Sequence, residues 1–209
     1  MKKVPISFSE EQVFDMHPYK WDTLTIEIPI SENLKKYFEL PSNETFKWKL
    51  EPNLNNGDKK YLSADKAVLA NILKTNRWER PIYFSLGCSP SFFSGLKEYF
   101  QLCGLTYKLL PIKTEETKYE IDAHKITDVL LDKNNIRNFV DVNKHNMPRA
   151  SNILNNYYSV LYRLAMFYKE QNQLLKINDV EKYIKENLSS DIFPNSKQIL
   201  DLINKLSSR

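Results

Sequence analysis

Residues Tyr61 to Thr114 read YLSADKAVLANILKTNRWERPIYFSLGCSPSFFSGLKEYFQLCGLTYKLLPIKT, and this stretch decides the fold class. Asp65 to Asn76 has helical periodicity, with Ala67, Val68, Leu69, Ile72 and Leu73 on one broad apolar face. Pro81 to Leu86 (PIYFSL) is a short apolar run, the pattern of a strand buried on both faces. Ser91 to Cys103 reads as a second helix, with Phe92, Leu96, Tyr99, Phe100 and Cys103 inward and Gly104 as its left-handed stop. Leu105 to Ile112 reads as a further strand. Helix, strand, helix, strand with short connections predicts α/β layers: a small parallel or mixed sheet with flanking helices. The strands around Ile82 and Leu109 are expected to be parallel, joined by a right-handed crossover.

Upstream, Ser9-Glu10-Glu11-Gln12 has capping-box spacing and predicts a short helix to Met16. Trp21 to Ile30 alternates Leu24, Ile26, Ile28 and Ile30 against Thr25, Glu27 and Pro29, a half-buried strand. Pro29 lacks an N–H and belongs at a strand end or edge. Ser31 should cap a helix from Glu32 to Glu39, and Thr45 to Leu50 should be a strand with Phe46, Trp48 and Leu50 on one face. Pro52 to Lys60 reads as a loop rich in asparagine.

Downstream, the pattern turns helical. Thr117 to Glu120 has capping-box spacing ahead of a helix over 121–131, and 132–145 reads as polar loop. Pro148 opens a long helix to Gln171, Asn178 caps a helix to Asn187, and Ser196 caps the last one. The predicted organisation is an α/β domain over 1–114 and a helical C-terminal region over 115–209.

Composition narrows the function classes. The chain has 209 residues, 42% of them hydrophobic and 27% charged, enough for a packed core. Four glycines leave little material for phosphate-cradling loops, and no G-x-G-x-x-G or G-x-x-x-x-G-K run occurs. The net charge of +4 is spread along the chain, so it reads as a solvated surface and no nucleic-acid partner is expected. No apolar run is long enough to span a membrane. The N-terminus MKKVPISFSEEQVFDM has no apolar core, so it is not read as a signal peptide, and any export signal is expected outside this chain.

The residues that could carry chemistry are few. His17, His124 and His145 are far apart, with no HExxH or CxxC spacing, so neither metal nor cofactor is expected. Cys88 and Cys103 flank the predicted helix, whose ends would lie about 18 Å apart. A disulfide needs Cα atoms within about 7 Å, so both thiols should be free. Cys88 sits in the strand-to-helix turn Gly87-Cys88-Ser89-Pro90-Ser91, where α/β enzymes place nucleophiles, but the G-x-S-x-G elbow is absent. That turn is also a candidate anion site: Ser85, Ser89 and Ser91 offer hydroxyls beside a helix N-terminus. Arg77 and Arg80 bracket Trp78 and could meet a sugar phosphate or an aromatic ring, or could serve only to anchor the preceding helix.

The blocks Asn76-Arg77-Trp78-Glu79-Arg80-Pro81-Ile82-Tyr83-Phe84 and Gly95-Leu96-Lys97-Glu98-Tyr99-Phe100-Gln101-Leu102 also carry a resemblance. They resemble the soluble region that follows the membrane helices in a family of bacterial multi-spanning membrane proteins related to animal transmembrane O-mannosyltransferases. There an "NxWxRPIYF" strand precedes a "GLxxYFQLxGLxYRLVPI" helix and strand. Asn152 to Leu164 (NILNNYYSVLYRL) resembles that family's "NLRNNFARLAEAL" block, which opens tetratricopeptide-like hairpins; Leu154 stands where the family has Arg, which makes any hairpin here a degenerate one. The resemblance implies an extracytoplasmic (periplasmic) accessory domain of a glycosyltransferase-like protein. Its partner would be the membrane-embedded part of the same parent or a protein acceptor. The catalytic carboxylates of such enzymes lie in loops absent here, so no catalytic residue is assigned and the chain is not expected to be an enzyme on its own. Two alternatives remain open. One is a free-standing interaction module using Tyr157, Tyr158, Tyr162 and Tyr168. The other is a small-molecule or anion binder centred on the 85–91 turn.

Overall fold

The computed structural model describes residues 19–20, 24–115, 117–132, 134–135, 147–188 and 195–207. The helix expected over 9–16, and most of the loop expected over 132–145, lie outside the described residues. The chain divides into two compact units: 1–100 with 108–117, and 101–107 with 118–209.

In the first unit, β2 (Leu24–Pro29) pairs antiparallel with β3 (Thr45–Leu50), from Leu24↔Leu50 to Pro29↔Thr45. The alternation read from sequence holds. Ile26, Ile28, Phe46, Trp48 and Leu50 are buried, while Thr25, Glu27, Lys47 and Lys49 face outward. Glu27 and Lys47 pair across the outer face at 3.7 Å. Between these strands α1 (Glu32–Tyr37) starts at Ser31, whose Oγ accepts from the Leu34 N–H at 3.4 Å. A second antiparallel sheet has the order β1 (Tyr19–Lys20), β5 (Lys59–Leu62), β4 (Leu54–Asn56). Residues 52–60, expected as loop, thus contain a hairpin: Gly57 at φ 60° makes the tight reversal that its side-chain-free backbone permits.

α2 (Ala64–Asn76) follows Ser63, which Asn53 holds through two hydrogen bonds of 2.7 and 2.9 Å. The helix buries Ala67, Leu69, Ala70 and Leu73. It also buries the stem of Lys66, whose Nζ reaches the Glu51 carbonyl at 3.3 Å. Desolvation pulls the Lys66 pKa down, against the opposing pull of Glu51 and Asp65. The helix ends in two consecutive left-handed residues, Arg77 (φ 43°) and Trp78 (φ 65°). That conformation is costly for side chains larger than glycine's.

The next segment corrects the sequence reading. Ser91 to Cys103 is not a helix: turns lead into a short 3-10 helix (Lys97–Tyr99) and then β7 (Phe100–Cys103). Gly95 at φ +79° breaks the helical path. A Cβ there would stand 2.9 Å from the Lys49 carbonyl and 3.1 Å from the Trp48 Nε1. Gly104 (φ 67°) turns a hairpin into β8 (Thr106–Leu109) instead of stopping a helix. β6 (Tyr83–Ser85) is a three-residue strand buried only at Phe84, not an interior strand. The strand order is β6–β8–β7. The Ile82 carbonyl accepts from the Leu109 N–H at 2.9 Å. From that bond β6 runs on upward in number and β8 downward, so they are antiparallel and the expected parallel crossover is absent. The class remains mixed α/β, with small antiparallel sheets.

The second unit is mainly helical. Leu102 and Ile121 form a parallel bridge, so Glu120 serves the backbone of β7 and no capping box forms at Thr117. Asp122 instead caps α3 (Ala123–Leu130), its Oδ1 accepting from the Lys125 N–H at 2.9 Å. α4 (Met147–Glu170) and α5 (Leu174–Asn187) form a hairpin, and α6 (Asn195–Ser207) packs on both. Asn172 at φ 55° makes the turn between α4 and α5. The Gln173 N–H reaches the Tyr168 carbonyl at 2.8 Å, a Schellman-type stop in which asparagine takes glycine's place. Because that stop restarts the helix at once, Asn178 lies inside α5 and does not cap it. Ser196 is likewise inside α6 and fully buried. Tyr157, Tyr158 and Tyr168 are buried too and Tyr162 is half-buried, so the four do not form the exposed tyrosine groove considered for an interaction module.

Two outcomes are expected in denaturant unfolding. Gly95→Ala should cost about 3 kcal/mol, combining left-handed strain with a clash against backbone that cannot yield. Gly57→Ala, with nothing within 4 Å of the added carbon, should cost only about 1 kcal/mol. Equal losses would refute the packing argument. Burial pushes the Tyr158 phenol up to about 12, opposed by the neighbouring Ser196 hydroxyl, although the two oxygens do not meet hydrogen-bond geometry. A raised phenol pKa gives stability that is complete below pH 10 and lost as pH rises toward about 12. Stability measured across that window should fall less steeply for Tyr158→Phe than for the wild type.

Candidate functional site

Arg77, Arg80, Ser85, Ser89 and Ser91, singled out in the sequence, are all exposed. Arg77 and Arg80 are both exposed at the end of α2; the Arg80 carbonyl accepts from the Asn76 side chain at 2.7 Å. Trp78 packs edge-on to Phe46 with ring centroids 5.1 Å apart, and its buried indole N–H has no partner among the described residues. Ser85, Ser89 and Ser91 lie on an exposed turn: the Ser85 Oγ accepts from the Gly87 N–H, and the Ser89 and Ser91 hydroxyls bond to each other at 2.8 Å. Since no helix starts at Ser91, the helix N-terminus invoked for anion binding is missing. Cys88 and Cys103 form no disulfide, and Cys103 is buried. His17 and His145 lie outside the described residues. Among the described residues no group of three or more His, Cys, Asp or Glu is placed to hold a metal ion, and no helix is long and apolar enough to cross a membrane.

The structure assembles a different feature in the first unit. An open cleft of about 450 Å³ is formed by Leu40, residues 44–47, Tyr99 and residues 111–113. Tyr99 anchors it: its hydroxyl donates to the Lys47 carbonyl at 3.0 Å, and its ring packs on Phe46 at 4.7 Å. Burial, and then the nearby Glu98 carboxylate, hold the phenol pKa up, with Lys113 pulling the other way. Thr114 secures the far side, donating to the Phe100 carbonyl at 2.6 Å, and Lys113 pairs with Glu98 at 2.6 Å. The rim carries both charges, from Glu44, Lys47 and Lys113.

The Tyr99 bond fixes which backbone groups face the cleft. In an antiparallel pair the N–H and C=O of one residue point to the same edge, and successive residues alternate. Lys47 offers its carbonyl to Tyr99, so Lys47 faces away from β2, and by alternation so does Thr45. A strand edge therefore runs along the cleft. Sequence reading found the strand and Tyr99, but took Tyr99 for a core residue of a helix that does not form. No local signal marks an edge formed by residues 52 positions apart.

Tyr99→Phe should lower stability by about 1 kcal/mol through loss of the Lys47 bond. Lys113→Ala, at an exposed ion pair, should leave the unfolding midpoint unchanged within error.

No curated protein and no solved structure matches this chain. A family model described as TMEM260-associated domain 2 matches residues 2–130, more than half of the 209 residues, and includes α2, the strained Arg77–Trp78 turn and the cleft. The chain belongs to the TMEM260-associated domain 2 family.

Proposed function

We propose that this chain is an accessory recognition domain of a membrane protein, and that the cleft along β3 binds an extended polypeptide. The family is named for its association with TMEM260, a membrane protein, which supports a place beside membrane-embedded machinery. The resemblance of the 76–84 and 95–102 blocks to the soluble part of O-mannosyltransferase-related proteins extends the reading. The parent is then glycosyltransferase-like, this domain lies on its extracytoplasmic face, and the bound polypeptide is an acceptor or the parent's own partner. Chemistry would reside in the membrane-embedded part, with this domain supplying binding.

The observation that carries the reading is the orientation of β3. Its outward backbone at Thr45, and the Lys47 N–H beside the carbonyl that Tyr99 holds, border an open cleft with a mixed-charge rim. Main-chain pairing to such an edge gives affinity with little sequence demand, which suits recognition of many acceptor segments.

The test is selection of short random linear peptides on the isolated chain, followed by titration against Lys47→Pro. Proline removes the outward N–H at Lys47 while leaving its carbonyl and the pairing of β2 intact. Enriched peptides should bind the wild type and lose at least tenfold in affinity on Lys47→Pro, about 1.4 kcal/mol. Amide exchange at Thr45 and Lys47 should slow on binding. Peptides that bind both proteins equally, or no enrichment at all, would overturn the proposal.

A further inference from the structure

The second unit holds a separate cleft of about 370 Å³, bordered by α3, the end of α4 and the start of α5. Its chemistry is unlike that of the β3 edge. Asp128 and Asp179 contribute two carboxylates, against one ammonium from Lys176. Two carboxylates thus face one lysine ammonium in this cleft, in a chain whose net charge is +4. His124 Nδ1 lies 2.9 Å from one Asp128 oxygen, and both side chains are open to solvent. Leu131 and Phe167 supply apolar lining.

The hydroxyls in the cleft have a determined direction. Thr127 donates its one proton to the Ala123 carbonyl at 2.8 Å. The 2.8 Å contact between Thr127 Oγ1 and the Tyr168 hydroxyl is therefore donated by Tyr168. That leaves the Tyr168 oxygen as an acceptor. Lys176 Nζ stands 5.1 Å from the centroid of the Tyr168 ring, a cation–π contact. The protein thus already places an alkylammonium in this cleft, on a tether from α5.

We infer that this cleft is a binding site for an organic cation: a primary ammonium or guanidinium on an alkyl stem. The stem lies against Leu131 and Phe167, and the head lies between Asp128 and Asp179 and takes the place of Lys176 over Tyr168. A basic side chain of a polypeptide and a free polyamine share this chemistry. The site is independent of the β3 cleft, and most of its lining lies beyond residue 130.

The test is calorimetric titration of the chain with Nα-acetyl-lysine methylamide, Nα-acetyl-arginine methylamide and spermidine, with amide shifts of Thr127 and Gln173 followed by NMR. Saturable binding is expected, weakened about fivefold by Asp128→Asn and by Asp179→Asn, the scale of one part-exposed ion pair. Lys176→Met should tighten binding, because it removes the tethered competitor. All three variants change solvent-exposed side chains, and an unchanged melting temperature confirms the fold. Tighter binding of the amino-acid probes than of spermidine assigns the cleft to polypeptide side chains; the reverse assigns it to polyamines. No saturable binding to the wild type or to Lys176→Met, or binding indifferent to both aspartate substitutions, would overturn the inference.

Discussion

The first unit depends on the seam between β3 and the turns over 92–99. Trp48 is fully buried, and its indole N–H donates to the Ser94 carbonyl at 3.1 Å. One residue on, Gly95 brings its backbone so close to Lys49 and Trp48 that no side chain fits. Four residues later Tyr99 bonds the Lys47 carbonyl. These contacts, side chain to backbone in both directions, hold one edge of β3 across a gap in sequence of about fifty residues. A buried tryptophan with a satisfied indole contributes through area and hydrogen bond together, so the seam is both strong and specific.

The seam also explains the aromatic density of this region. Phe84, Phe93 and Phe100 stack within 5.0–6.1 Å of one another, and Phe46 meets both Tyr99 and Trp78 edge-on. Strands of three and four residues offer few positions each to the core. Large rings compensate by filling the space that longer strands would occupy. The strained turn at Arg77–Trp78 has a role in the same economy: it directs Trp78 back onto Phe46.

The second unit is organised differently. α4, α5 and α6 bury a stripe of leucine, isoleucine and valine, and also the hydroxyls of Tyr158, Tyr183 and Ser196, which lack hydrogen-bond partners among the described residues. Burial raises the pKa of both phenols. Specific polar contacts concentrate elsewhere. Arg163 meets Glu120 at 3.3 Å, and Thr127 meets Tyr168, tying α4 to the segment around α3.

Sequence alone determined the amphipathic elements: β2 and β3 by strict alternation, α2 and α4 by helical period, α1 by its Ser31 cap. It also determined that the N-terminal half mixes strands with helices and that the rest is helical, and the NRWERPIYF and GLKEYFQL blocks pointed to a membrane-protein family. Local pattern suffices there because one face of each element is apolar and the other is not. Tertiary structure alone decided the path of residues 91–103. Phe92, Leu96, Tyr99 and Phe100 satisfy a helical period, and nothing nearby in sequence shows that Gly95 must pass against Lys49 and Trp48. It also decided both clefts, because each is lined by residues brought together from segments about forty to seventy positions apart. Hydrophobic period records which face of an element is buried, but not which distant backbone it is buried against.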